Sequence, residues 1–131
     1  MTTSGVPLDN WPPDSRQARR TASADDTLAL RYVFGPVASG RLGRSLGLDL
    51  VGEPVCSFDC VYCEAGPTRQ LTVERKPYVS AKAILHELAA WRTSEVFGLG
   101  QPEPDVITLG GLGEPCLNSE LARVISGVRA V

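Results

Sequence analysis

"DVITLGGLGEPCLNSELARVISGVRAV", residues 105–131, changes its period once and turns tightly in between. Val106, Ile107 and Leu109 make "DVITL" a short apolar strand at 105–109. "GGLGEPCL" is a glycine-rich turn, and no Gly-Lys-Ser/Thr follows it, so it is not a phosphate loop. Leu121, Val124, Ile125 and Val128 then recur on one side of a helix, with Asn118 or Ser119 as its cap. A strand that hands over to a helix through one tight turn is the building unit of α/β folds.

The same unit is legible upstream. "SAKAILHELAAWRTSE" predicts a helix with Ser80 as N-cap and Ala81, Ile84, Leu85, Leu88 and Trp91 on one face. Trp91 is expected to anchor that helix in the core, and His86, the single histidine, to sit at its boundary. Before the helix, "LALRYVFGPV" suggests an extended segment near 29–34, and "RLGRSLGLDLVG" a turn followed by a strand at 46–51. "LTVERKP" adds a further short extended piece. The order strand, loop, helix, strand, glycine-rich turn, helix favours a parallel sheet with right-handed crossovers. Both intervening loops, 52–66 and 110–117, would then leave the same end of the sheet, the carboxyl ends of the strands where ligands gather.

Composition narrows the class. A formal net charge of -2 gives no basic excess, hence no strong non-specific grip on nucleic acid or anionic membrane. Arg41 and Arg44 suit either an anionic contact or solvated surface charge. No apolar run approaches the roughly 18 residues of a membrane span, and the N-terminus lacks signal-peptide order. The expected compartment is the cytoplasm, where thiols stay reduced. Residues 1–27, rich in Pro, Ser, Thr, Asp and Arg, read as a disordered leader, and 28–131 as the folded part.

Three of the four cysteines fall in "PVCSFDCVYCEAG", residues 54–66: Cys56, Cys60 and Cys63. In a reducing compartment such a cluster is metal-binding or catalytic. Soft thiolates select zinc, copper(I) or iron–sulfur clusters. Three thiolates leave one iron of a cubane without a protein ligand, whereas a zinc knot would need Cys116 or His86 as the fourth donor. Phe58 and Tyr62 are placed to shield a cluster from water. Cys116 is expected to be a small buried residue.

Cys56-Ser-Phe-Asp-Cys60-Val-Tyr-Cys63, with an aromatic residue before the third cysteine, resembles the cluster loop of the radical S-adenosylmethionine superfamily. "ITLGGLGEP" at 107–115 is similar to that family's glycine-rich turn. "YVFGPVASGRLGRSLGLDLV" at 32–51 resembles its branch of Fe–S oxidoreductases related to wyosine-type tRNA base synthesis.

The resemblance implies that Cys56, Cys60 and Cys63 ligate a 4Fe–4S cluster whose fourth iron is chelated by S-adenosylmethionine. Reductive cleavage of that cofactor would yield a 5′-deoxyadenosyl radical acting on a substrate not identified by the sequence. Gly110, Gly111, Gly113 and Glu114 would run beside the methionine end of the cofactor, and Tyr62 near its adenine. A reductant such as flavodoxin or ferredoxin is implied as partner, and tRNA as a candidate substrate by analogy.

The family fold is a partial, TIM-like barrel of six strand–helix units, about 180 residues at roughly 30 residues per unit. This chain accounts for the first two units. It is therefore expected to be the N-terminal part of a longer or truncated enzyme, lacking the remaining C-terminal portion of the barrel. The alternatives are a zinc-stabilised binding module and an inactive fragment.

Overall fold

In the computed structural model, residues 29–94 and 100–130 are described, and the expected leader at 1–27 lies outside them. Strands β1 (Val33–Ser39) and β2 (Gly43–Asp49) form an antiparallel hairpin, with Ser39 paired to Gly43 across a short turn. The expected alternation of strands and helices gives no place for this hairpin. Its origin is local: the link at 40–42 is too short for any crossover, so the two strands can only run antiparallel. The second strand also begins at Gly43 rather than Leu46, because the hairpin register extends to the turn. The ladder slips between Phe34 and Val37, at Pro36, which has no N–H to contribute.

The first strand starts later than the expected 29–34, and a helix explains why. The backbone N–H groups of Arg31, Tyr32 and Val33 all donate to one oxygen, Oε1 of Glu87, at 2.7, 2.7 and 2.8 Å. The N–H groups of 31–33 face the helix, while the Tyr32 carbonyl accepts from Asp49 N–H of β2 at 2.7 Å, so this stretch ties the sheet edge to the helix that carries Glu87.

Beyond β2 the chain makes the cysteine loop, with the two-residue strands β3 (Val55–Cys56) and β4 (Gln70–Leu71) paired in parallel. Of the expected "LTVERKP" piece only Leu71 becomes strand, with one further bridge from Lys76 to Asn118. Helix α1 (Ala81–Thr93) follows, and Ser80 caps it as expected, its side chain accepting from the Ala83 N–H at 3.2 Å. Strand β5 (Val106–Gly110) then returns beside β2 in parallel, giving the order β1-β2-β5. After a 3-10 turn at Pro115–Leu117 comes α2 (Leu121–Val128). The result is a small mixed α/β arrangement with two strand–helix units, β2 to α1 and β5 to α2.

Residues paired across a ladder share one face of a sheet. Val33 and Leu48 pair, as do Leu48 and Leu109, and with Leu46 they define the face that meets the helices, whereas Ile107, opposite Leu46, stays exposed. Ile84, Leu88 and Trp91 of α1 and Val124 of α2 join Val33, Leu46, Leu48 and Leu50 in one buried core. Trp91 is the expected anchor, and His86 lies exposed on the same helix. Of the face expected for α2, Val124 is buried and Leu121 and Val128 pack against the core, whereas Ile125 remains 39% exposed. No helix among the described residues is long and apolar enough to cross a membrane.

Candidate functional site

The site begins where β2 ends. Asp49 is buried, and its Oδ1 accepts from the N–H groups of Val51 (3.1 Å) and Gly52 (3.0 Å). An aspartate that bonds its own backbone two and three residues on turns the chain sharply, here out of the sheet and into the cysteine loop. Gly110 is its ladder partner on β5. The next residue, Gly111, has φ +112°, and a Cβ there would strike the Asp49 carboxylate. The two loops thus diverge from adjacent, parallel strand ends, as their positions in the sequence predict.

They meet again at once. A Cβ on Gly113 would collide with the carbonyl oxygen of Val55, and that carbonyl accepts the Glu114 N–H at 3.2 Å. Glycine at 113 is required by this close approach. The glycine-rich turn therefore lies directly against the short strand that carries Cys56.

The cysteine loop closes at its base through backbone bonds. Arg69 and Gln70 donate to the Pro54 carbonyl (2.9 and 3.1 Å), and Thr72 donates to the Cys56 carbonyl (3.0 Å). Further out, the Thr68 N–H donates to Asp59 Oδ1 at 2.9 Å, and the Thr68 hydroxyl to the Phe58 carbonyl at 2.7 Å. Within the lobe, Cys63 N–H reaches the Cys60 carbonyl and Gly66 N–H the Cys63 carbonyl, both at 3.0 Å. Cys56, Cys60 and Cys63 are all free thiols, the first two half-buried and the third exposed. Phe58, 66% exposed, and Tyr62, 84% exposed, project from the outside of the lobe. A side chain on the outer surface of a loop has nothing of its own chain to lean on.

The segment after the glycine turn is fastened from behind. Glu114 Oε1 accepts from the Cys116 N–H at 2.9 Å, capping the 3-10 turn. Arg75 Nε donates to the Cys116 carbonyl (3.0 Å), Lys76 N–H to the Leu117 carbonyl (3.2 Å), and Ser119 N–H to the Lys76 carbonyl (3.0 Å). Asn118, 0% exposed, is the central tie. Its Nδ2 donates to the carbonyls of Leu50 (2.7 Å) and Val79 (2.8 Å), and its Oδ1 accepts from Glu120 N–H (2.8 Å). The expected helix cap is thus a buried clamp joining the end of β2, the approach to α1 and the approach to α2. A periodicity reading has no signal for this, because the carbonyl partners lie 68 and 39 residues away in sequence.

Cys116 is exposed, against the expectation of burial. The 3-10 turn buries Leu117 and directs its neighbour outward. The Cys116 thiol is held above its ordinary pKa by a hydrogen bond to Glu114, then by that carboxylate's charge and slight desolvation, with Arg75 opposing. His86, the other candidate fourth donor, lines an open groove of about 470 Å³ with Tyr32, Lys82 and Glu87. Among the described residues, no three His, Cys, Asp or Glu side chains form a group that could hold one metal ion. The three loop thiols remain a soft donor set on one lobe, and a multi-iron cluster spaces its ligands more widely than a single ion does. By chemistry, three thiols are donors of the kind that zinc, copper(I) and iron–sulfur clusters take.

No family model and no solved structure matches the chain. It is 43% identical over 98 residues to a UPF0026 protein of Synechocystis sp., covering 74% of this chain and 34% of that protein. It is 35% identical over 100 residues to a UPF0026 protein of Methanocaldococcus jannaschii, covering 76% of this chain and 30% of that one. It is also 36% identical over 104 residues to a protein named GTPase Obg of Brachyspira hyodysenteriae, covering 79% of this chain but 14% of its length. The chain thus spans about a third of the length of the UPF0026 proteins it matches.

Proposed function

We propose that this chain is the cluster-binding N-terminal part of a radical S-adenosylmethionine enzyme. Cys56, Cys60 and Cys63 would hold a 4Fe–4S cluster, and the turn from Gly110 to Glu114 would lie along the bound S-adenosylmethionine. One observation carries the reading: Glu114 N–H on the Val55 carbonyl seats the glycine-rich turn against the strand that bears Cys56. Two motifs far apart in sequence, each pointing to the same cofactor pair by resemblance, are adjacent in space.

When bound, the cofactor pair supplies reductive cleavage of the sulfonium and abstraction of hydrogen from a substrate, and the protein supplies orientation and exclusion. The three thiols would hold the cluster as its soft sulfur ligands. Gly111 and Gly113 leave the turn without side chains on its backbone. Glu114 is engaged with Cys116 through its Oε1, so the turn's carbonyls are the acceptors offered to a ligand ammonium. Exposed Tyr62 is available to lie against an adenine ring. The remaining barrel, a reductant of the flavodoxin or ferredoxin type, and a tRNA substrate belong to the same reading of the longer protein. The partial match to a protein named as a GTPase does not redirect it, since this chain has no Gly-x-x-x-x-Gly-Lys-Ser/Thr.

Anaerobic reconstitution with iron and sulfide tests the reading. The expected result is broad iron–sulfur absorbance that Cys60→Ala abolishes, with S-adenosylmethionine altering the electron paramagnetic resonance of the reduced cluster. Zinc in place of iron after iron-replete anaerobic expression, or a cluster indifferent to Cys60→Ala, would overturn it. The full-length protein should in addition release 5′-deoxyadenosine under strong reductant.

A further inference from the structure

The lobe that carries Cys60 and Cys63 is closed by the chain's own side chains. Its base is the β3–β4 pair, where Cys56 sits opposite Leu71. Just above that base, Asp59 and Thr68 form a double clasp: Thr68 N–H to Asp59 Oδ1, and Thr68 hydroxyl to the Phe58 carbonyl. Two successive turns, Cys60 to Cys63 and Cys63 to Gly66, fill the space between the clasped ends. Small metal sites often reach their shape only when the metal arrives, since the unliganded chain has nothing else to order it. Here the ordering contacts use an aspartate and a threonine, neither of which is spent as a ligand.

We infer that Asp59 and Thr68 are positioning residues that set the Cys60–Cys63 turn before any iron binds. This rests on the cluster reading above and adds to it a mechanism of assembly on a preformed loop. A loop already closed loses less freedom when it takes up its ligand, so binding is stronger for the same donor set. Supporting residues behind metal ligands act in this way, and their removal commonly costs 10–100-fold in affinity. Asp59 acts through Cys60 and Cys63 and touches neither iron nor substrate. The oxygen that accepts from Thr68 is retained in Asp59→Asn and lost in Asp59→Ala, which separates hydrogen bonding from charge.

The experiment uses the full chain and two readouts. In the metal-free protein, hydrogen exchange should show protection of the Cys63, Gly66 and Thr68 amides. Asp59→Ala should lose that protection at least tenfold, Asp59→Asn should keep most of it, and Thr68→Val, which retains the N–H but not the hydroxyl, should lose part. Circular dichroism should remain as in the parent, since Asp59 is exposed and lies outside the helices and strands. At limiting ferrous iron and sulfide, Asp59→Ala should take up several-fold less iron and give a broadened resonance of the reduced cluster, with Asp59→Asn restoring both. Equal exchange in parent and Asp59→Ala, or equal iron uptake with an unchanged resonance, overturns the positioning role. Failure of the parent chain itself to load iron overturns the cluster reading instead, while the exchange data still decide whether the clasp shapes the loop.

Discussion

The Glu114 N–H donates to the Val55 carbonyl at 3.2 Å, bringing the glycine-rich turn onto the strand that leads to Cys56. The contact is backbone to backbone, so it depends on the absence of a side chain at Gly113. That dependence makes the relationship testable without knowing any ligand.

Gly113→Ala should break it. The added methyl overlaps the Val55 carbonyl, and relieving such overpacking costs about 1–3 kcal/mol. Urea denaturation should show the loss, and the Glu114 amide should exchange faster. Gly110→Ala is the control: nothing stands within 4 Å of a Cβ there, and its stability should change by no more than about 0.5 kcal/mol.

Asn118→Leu should be among the most damaging substitutions in the core. It strands the carbonyls of Leu50 and Val79 and the N–H of Glu120. Each buried orphan costs about 1–3 kcal/mol, against a total stability of roughly 5–15 kcal/mol for a whole domain. Asn118→Asp should be no milder, since it turns an acceptor toward two carbonyl oxygens. Denaturation midpoints of both variants against the parent check this.

Glu87→Ala should release the approach to β1. Three N–H groups lose their acceptor together, and hydrogen exchange at 31–33 should accelerate. Bonds to a charged acceptor contribute about 1.5–3 kcal/mol each, though three sharing one oxygen will not add fully. Glu87→Gln keeps a neutral acceptor oxygen and should fall between parent and alanine.

Cys116 should alkylate slowly for an exposed thiol. The thiolate is the nucleophile, and the Glu114 hydrogen bond and charge raise the thiol's pKa, so at a fixed alkaline pH less thiolate is present. Glu114→Gln removes the charge, lowers that pKa and should speed the reaction. Peptide-resolved iodoacetamide rates across pH 7.5–9.5 should show the parent's profile displaced to higher pH relative to the variant. A parent as fast as Glu114→Gln throughout would contradict the assignment.

Much of this arrangement is legible in the sequence because it follows from local period. Ser80 and the apolar face through Ile84, Leu88 and Trp91 specify α1, and "DVITL" followed by glycines specifies β5 and its turn. The meeting of the two loops follows too, since both leave parallel strands at the same end. The expected bounds, 29–34 and 46–51, leave a long link that hides the hairpin; the strands in fact run to Ser39 and from Gly43, and so short a link permits only an antiparallel pair. Cys116 and Asn118 escape the periodic signal for another reason. A turn's composition does not say which of two neighbours faces inward, and Asn118's carbonyl partners are distant in sequence. The Asp59–Thr68 clasp has no periodic signature either, because it joins two irregular segments nine residues apart.

The carboxylate of Glu87 also sets an order of events during synthesis. Chains leave the ribosome N-terminus first, at about 5–20 residues per second. The β1–β2 hairpin needs only its neighbours and can pair early, but the backbone just before it waits for an acceptor 54 to 56 positions later. For several seconds of translation, β2 can already hold the start of the first strand through Leu48 and Asp49, while the N–H groups of Arg31, Tyr32 and Val33 still lack the carboxylate they will share.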